Sequence, residues 1–267
     1  GGSWRSVTHG ENGKSAGMGS IRVERVGDAV GRCAELLVAA LGGGKRLVVT
    51  GGRGAGQVYE RLAARRADLA DSELWLSDER CVPAGDARSN GELVERQLVA
   101  PLPPALRPRL RAPRLDRPPA AAAAIYEREL AIAGGSAHAS PRFDVAFLSV
   151  GRDGHVASLF PDRAALGERD RWAVAVDEPG LEPFVPRVTL TLPVLAHCAR
   201  LVLLALGEEK RPALAALEQS LSGATGGRPG SATVYAQPAA MLASECAEQG
   251  GEVVVVTDIA SGGGTQG

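Results

Sequence analysis

Phe143-Asp144-Val145-Ala146-Phe147-Leu148-Ser149-Val150 runs directly into Gly151-Arg152-Asp153-Gly154-His155-Val156-Ala157-Ser158-Leu159-Phe160-Pro161. The first part is apolar and partly β-branched, with the length and composition of a strand buried in a parallel sheet, so the glycines fall where that strand ends. Open α/β sheets bind ligands at that end of their strands. An Asp-Gly-His turn there lets the backbone approach a ligand closely and turns an imidazole toward it. His155 is therefore the leading candidate for chemistry. The competing reading is a turn histidine bonded only to backbone; two flanking glycines, a neighbouring acid and the strand-end position weigh against it.

Upstream, Asp28 opens an amphipathic helix in which Val30, Cys33, Leu37 and Leu41 recur at helical steps, and Gly42-Gly43-Gly44 ends it. Leu47-Val48-Val49-Thr50 reads as a core strand running into Gly51-Gly52-Arg53-Gly54-Ala55-Gly56, after which Val58, Leu62 and Ala63 have helical spacing. A glycine-rich turn from strand to helix offers backbone N–H groups and a positive helix end to an anion. Neither G-x-G-x-x-G nor G-x-x-x-x-G-K-[ST] fits these residues, so a dinucleotide fold and a Walker loop both fail, and a connection needed only for close packing stays open. Leu74-Trp75-Leu76-Ser77 is a second core strand, ending in Asp78-Glu79-Arg80. The fork of Arg80 suits a phosphate, whereas the bland alternative is a solvated loop. Ser89 reads as the cap of a helix over residues 91–99.

The stretch from Pro101 to Pro119 is rich in proline and arginine and reads as an irregular connection with one edge strand around residues 109–115. Ala120 to Ile132 is helical by propensity, stopped by Gly134-Gly135. His138 reads as a surface histidine and His197 as a helix-end residue. Residues 172–176, 188–192, 201–206 and 252–257 are strand-like, residues 238–246 helical, and residues 223–231 a flexible loop. Lys210 stands in the first turn of a helix, where the dipole opposes it; a bound anion would explain it, and a plain surface lysine is the alternative.

The chain of 267 residues, 45% hydrophobic with a formal charge of −1, can bury a large core and carries no basic stripe for nucleic acid or anionic membrane. No apolar run approaches the ~18 residues of a membrane span, and none resembles a secretory leader. These features point to a soluble, cytoplasmic protein, with a monomer favoured. Residues 1–20 are rich in Gly and Ser without periodicity and read as a tag or disordered leader. Cys33, Cys81, Cys198 and Cys246 lie far apart in sequence with no C-x-x-C, which disfavours a zinc site or a disulfide framework and reads as reduced, structural thiols. The expected architecture is a single α/β domain over residues 21–267, with a mostly parallel, Rossmann-like sheet flanked by helices.

Residues Gly151 to Pro161 resemble the signature of 6-phosphogluconolactonases, L-G-x-G-x-D-G-H-x-A-S-L-F-P, with Ser149 in place of a glycine and Arg152 where proline is common. The triplet Asp78-Glu79-Arg80 resembles that family's D-E-R, and Arg187-Val188-Thr189-Leu190-Thr191 its R-[IV]-T-[LM]-[ST] element. Lys210 matches the lysine of its G-x-x-K. The family's G-G-S-T-P survives as Gly51 and Gly52, while Arg53 and Gly54 replace the hydroxyl residues. The resemblance implies hydrolysis of the sugar-phosphate lactone 6-phospho-D-glucono-1,5-lactone to 6-phosphogluconate in the pentose phosphate pathway, with no metal or organic cofactor. In that reading His155 is the general base and Asp153 orients it. Gly51, Gly52, Asp78, Arg80 and Lys210 surround the substrate and its phosphate. Arg187 is either a substrate ligand or a surface salt-bridge residue, and Arg53 either reaches the phosphate or projects into solvent. Two alternatives are carried. A glucosamine-6-phosphate deaminase-like isomerase would resemble D-G-H-I-A-F-N-E-P, but here Phe160 takes the place of the glutamate. A non-catalytic sugar-phosphate binder is prompted by Arg53, Gly54 and Ser149.

Overall fold

Alternating apolar strands and amphipathic helices dictate a layered α/β arrangement, and a computed structural model describes it for residues 19–41, 44–135, 140–222 and 237–261. Most of the leader, Gly42 and Gly43, His138 and the loop at 223–231 lie outside the described residues. In chain order the elements are β1 (Ile21–Arg25), α1 (Ala29–Ala40), β2 (Arg46–Val49), α2 (Arg53–Ala64), β3 (Glu73–Leu76), β4 (Asp78–Arg80), α3 (Asn90–Val94), β5 (Arg109–Arg111), α4 (Pro119–Gly134), β6 (Phe143–Ser149), β7 (Ala173–Val176), β8 (Arg187–Leu190), α5 (Leu192–Ala196), β9 (Cys198–Ala205), α6 (Arg211–Leu221), α7 (Pro238–Glu248) and β10 (Glu252–Thr257).

Seven strands form one sheet in the order β1-β10-β9-β6-β2-β3-β5, and every pairing in it is parallel. The chain builds outward from β2 through β3 to β5, then crosses back to lay β6 on the other side of β2. The strand order therefore reverses between β2 and β6, the position at which open α/β sheets bind ligands. The glycine turn after β2 and the Asp-Gly-His turn after β6 flank it.

The continuous apolar character of β6 follows from burial on both faces. Val145 and Phe147 face the layer of α1 and α2, among Leu37, Val58 and Tyr59; Ala146 and Leu148 face the opposite layer, with Leu214 and Leu242. Phe147 is fully buried and meets Tyr59 edge-on at 6.0 Å between centroids. Burial of such a side chain contributes about 1.5–3 kcal/mol. Asp28 caps α1, its Oδ1 accepting from the Gly31 N–H at 2.8 Å, and Gly135 ends α4 in the left-handed conformation at φ 71°.

Three features depart from the sequence expectation. Ile21–Arg25 pairs with the last strand, β10, as an edge. Asp78-Glu79-Arg80, expected in a strand-end loop, is itself the strand β4. It joins β8 and β7 in a second, antiparallel sheet, where Asp78 pairs with Thr189 and Arg80 with Arg187. The change of sheet is made at Ser77, whose N–H still donates to Val49 of the main sheet while its carbonyl accepts from Leu190 of the small one, both at 2.8 Å. Finally, Cys198 and Cys246, distant in sequence, meet at 3.6 Å between sulfurs.

Ser89 does cap α3, accepting from the Glu92 N–H at 3.1 Å while its hydroxyl donates to Glu79 at 2.9 Å. Ser89→Ala should lower the unfolding free energy by about 1–2 kcal/mol in urea titrations; an unchanged midpoint would remove the cap from the account of how Asn90 is held.

Candidate active site

The Asp-Gly-His turn is closed by backbone bonds, the Gly151 N–H donating to the His155 carbonyl at 2.8 Å and the Gly154 N–H to the Gly151 carbonyl at 3.0 Å. The imidazole packs directly over Gly151, where any Cβ would strike the ring. Asp153 accepts at 2.5 Å from Nδ1 and at 3.2 Å from the His155 backbone N–H. With Nδ1 engaged in this way, the ring's remaining nitrogen is Nε2. Burial pushes the Asp153 carboxyl up, but the hydrogen bond and charge of His155 outweigh it and leave the group below its ordinary value. Phe160 lies against the imidazole at 4.7 Å between centroids, and the Arg187 guanidinium sits over the same phenyl ring at 5.2 Å. His155 is thus gripped by Asp153, Gly151 and Phe160.

Asp78 is only 3% exposed. Its Oδ2 accepts from Ser158 Oγ at 2.7 Å, and its Oδ1 from Ser77 Oγ at 2.9 Å and Asn90 Nδ2 at 3.2 Å. Arg187 is equally buried. It donates from Nη1 to Ser158 Oγ at 3.3 Å and from Nη2 to the carbonyls of Leu181 and Pro183 at 2.9 and 3.0 Å, and no carboxylate lies within ion-pair distance among the described residues. Its environment matches neither a surface salt bridge nor an open ligand position. Burial lowers its pKa, the charge of Asp78 resists this, and Arg80 adds to the lowering. Arg80 stands directly opposite it, a like-charged cross-strand pair that is unfavourable unless an anion compensates. Arg80 donates from Nη1 to the Arg88 carbonyl at 2.7 Å; its Nε is buried without a partner among the described residues.

The third contribution comes from the glycine turn. Gly51 is buried, and a Cβ on it would run into the Asn90 carboxamide. Gly52 holds φ 99° at the N-cap of α2, where no side chain caps the N–H groups of that helix's first turn. Arg53, exposed, is the first residue of α2. It lies close enough to Lys210 for the two charges to interact. Burial depresses the Lys210 ammonium, Glu209 and Asp258 partly restore it, and Arg53 depresses it further. Neither cation has an ion-pair partner within 4 Å among the described residues.

Tyr59 escaped the sequence reading. From α2 it donates to the Thr50 carbonyl at 2.6 Å and accepts from the Thr50 N–H at 3.0 Å, fixing the end of β2 just before Gly51. Its only sequence signal is a tyrosine in a buried helical stripe. Glu79 likewise has no substrate-facing position. It accepts from the N–H groups of Arg80, Asn90 and Gly91, each at 2.7 Å, and so ties β4 to α3. His197 is the C-cap of α5, its backbone N–H donating to the Val194 carbonyl at 3.2 Å, and its ring meets Ser140 Oγ at 3.3 Å. No cluster of three or more His, Cys, Asp or Glu is placed to hold a metal among the described residues.

A family model described as glucosamine-6-phosphate isomerases/6-phosphogluconolactonase matches residues 22–249. The chain belongs to this family. Within it, the chain is 37% identical over 195 residues to a 6-phosphogluconolactonase of Streptomyces coelicolor, covering 68% of this chain and 72% of that one. It is 34% identical over 209 residues to the 6-phosphogluconolactonase of Caulobacter vibrioides, covering 73% and 86%. The crystal structure of a 6-phosphogluconolactonase from Thermotoga maritima superposes with a TM-score of 0.69 at 27% identity, over 89% of this chain and 98% of that one. Family membership accounts for the parallel sheet and its flanking helices. No helix among the described residues is long and apolar enough to cross a membrane.

Proposed function

We propose that this member of the family is a 6-phosphogluconolactonase, hydrolysing 6-phospho-D-glucono-1,5-lactone to 6-phosphogluconate in the pentose phosphate pathway, with His155 as general base. The observation that carries the assignment of the base is the 2.5 Å contact between Asp153 and His155 Nδ1. Donation of the Nδ1 proton to the carboxylate leaves the Nε2 lone pair free in the neutral ring. That lone pair takes a proton from water as the water oxygen bonds to the lactone carbonyl carbon. The tetrahedral intermediate collapses by breaking the bond to the ring oxygen, to which Nε2–H returns the proton. Asp153 stabilises the imidazolium between these steps, and backbone N–H groups of the strand-end turns offer stabilisation to the oxyanion. Lactone and water suffice as reactants.

The phosphate is assigned to the cation-rich side of the crevice: Lys210, Arg53, Arg80 and the N–H groups of Gly52 and the first turn of α2. Asp78 and Arg187, too deeply buried to meet substrate freely, are assigned the role of bracing the turn that carries His155. Phe160 stands where the resembling isomerases carry glutamate, which favours the lactonase over the deaminase. A monomer acting in the cytoplasm is part of the same proposal. The test is lactone hydrolysis corrected for spontaneous ring opening; a rate no greater than the spontaneous one would refute the assignment.

Two further results are expected. Lys210→Ala should raise KM for the phosphorylated lactone by about 10–150-fold, corresponding to the 1.5–3 kcal/mol of a hydrogen bond to a charged group, while leaving hydrolysis of unphosphorylated gluconolactone nearly unchanged. Equal losses on both substrates would detach Lys210 from the phosphate. Because its ammonium is depressed, it loses its proton at lower pH than an ordinary lysine. Calorimetric affinity for 6-phosphogluconate should therefore weaken as pH rises toward the lysine range, and Lys210→Arg should flatten that dependence. Arg53→Ala should weaken 6-phosphogluconate binding more at low than at moderate salt; unchanged affinity at both would leave Arg53 as a solvated substitution.

A further inference from the structure

Two thiols that the hydrolytic reaction does not use lie together at the end of the sheet remote from His155. Cys198 opens β9, paired with Phe143 at the start of β6, and Cys246 lies in the last turn of α7. Their sulfurs are 3.6 Å apart, and both residues are at most 1% exposed. A disulfide needs about 2.05 Å, so an approach of roughly 1.5 Å would close the bond. That movement falls on the C-terminal end of a helix, followed at once by the turn at Gln249, Gly250 and Gly251.

Part of the covering over Cys246 is glycine backbone. A Cβ at Gly251 would strike Cys246 Sγ, and a Cβ at Gly19 would strike the Gly251 backbone, so two glycine main chains are stacked over the sulfur. Two backbone bonds hold these glycines in place. The Gly251 N–H donates to the Cys246 carbonyl at 2.9 Å, and the Gly19 N–H to the Ala247 carbonyl at 2.8 Å. Fraying of a helix end by one turn opens such a cover to a small reagent. The exposed guanidinium of Arg142 acts on both thiols and favours thiolate. Within the pair, the hydrogen bond from Cys198 draws the Cys246 pKa down against the effect of burial, while the same bond and burial push Cys198 up.

We infer that Cys198 and Cys246 are an oxidisable pair that hydrogen peroxide converts to an intramolecular disulfide, stapling α7 to the sheet. The Cys246 thiolate attacks one peroxide oxygen. An S–O bond forms, the O–O bond breaks, and the departing hydroxide is protonated to water. Cys198, losing its proton, then attacks the Cys246 sulfur; the S–S bond forms, the S–O bond breaks, and a second water leaves. In sum, two thiols lose two hydrogens and one peroxide becomes two waters. The link closes a 48-residue separation, which restricts the unfolded chain far more than it alters the folded one. The opposite end of α7 touches the catalytic turn, the Ala239 N–H donating to the Gly154 carbonyl at 3.0 Å, so the staple anchors the helix on which that turn rests.

The test uses the wild-type chain treated with graded hydrogen peroxide. Remaining thiols are alkylated, the protein is digested, and peptides are mapped by mass before and after dithiothreitol. The expected product is a Cys198–Cys246 linked peptide lacking two hydrogens, reversible by the reductant, with Cys33 still alkylated as a free thiol. The linked protein should also melt several degrees higher than the reduced one, and Cys246→Ser should show neither the link nor the shift. Alkylation of both cysteines after treatment, a sulfinic acid on Cys246 without a link, a link to Cys81 instead, or a lower melting temperature in the linked protein would each overturn the proposal. The principal readout needs no variant, so a misfolded Cys246→Ser leaves it intact.

Discussion

His155→Ala should lower kcat for lactone hydrolysis by about 10²–10⁴-fold, the usual contribution of a positioned general base, while 6-phosphogluconate binds nearly as before. The expectation rests on the different partners the two groups of residues meet. The imidazole is held between Asp153, Gly151 and Phe160 at the end of β6, whereas the unpaired cations Arg53 and Lys210 gather by the first turn of α2. Removal of the ring therefore deletes proton transfer without touching the phosphate side. Asp153→Asn should fall in between, since an amide can still meet Nδ1 but cannot stabilise the imidazolium. A His155→Ala enzyme with near-wild-type kcat would end the assignment of the base, and a parallel collapse of product affinity would show that the two halves of the crevice are not independent.

The parts of this site legible in the sequence are those encoded locally. An apolar strand followed by Gly151-Arg152-Asp153-Gly154-His155, and another followed by Gly51-Gly52, each carry their position in a few consecutive residues, and the strand-end rule then brings them to one crevice. What could not be read depends on pairing across long separations. Ile21-Arg22-Val23-Glu24 alternates, but over too few residues to announce a strand until β10 supplies its partner at the far end of the chain. Asp78-Glu79-Arg80 reads as a solvated or ligand-facing triplet because its charges conceal a strand; only the pairing with β8 shows that Asp78 and Arg187 are interior. Cys198 and Cys246 were legible only as separate thiols for the same reason. Charge marks a residue as costly to bury, not as exposed, and the sequence does not reveal which partners offset that cost.

Asp78→Ala should therefore act first on folding, lowering the unfolding free energy by about 1–3 kcal/mol for each buried donor left without its acceptor. The Asp78 carboxylate gathers hydroxyls from Ser77 and Ser158 and an N–H from Asn90, and it is the carboxylate whose charge sustains the buried Arg187. Without it, Arg187 is left facing Arg80 with no compensating anion nearby, and Ser158, which links the catalytic turn to β4, loses its acceptor. Asp78→Asn keeps the shape and one acceptor oxygen, so it should fold better while still leaving the guanidinium uncompensated. If the carboxylate and guanidinium act as one unit, Asp78→Asn combined with Arg187→Met should cost less than the sum of the two single changes, the difference giving their coupling. Urea unfolding alongside kcat and KM separates this bracing role from direct contact with substrate: a ligand at Asp78 would leave the unfolding midpoint near wild type and raise KM alone. A fall in stability, with kcat reduced in the folded fraction and KM little changed, is the outcome that the buried geometry requires.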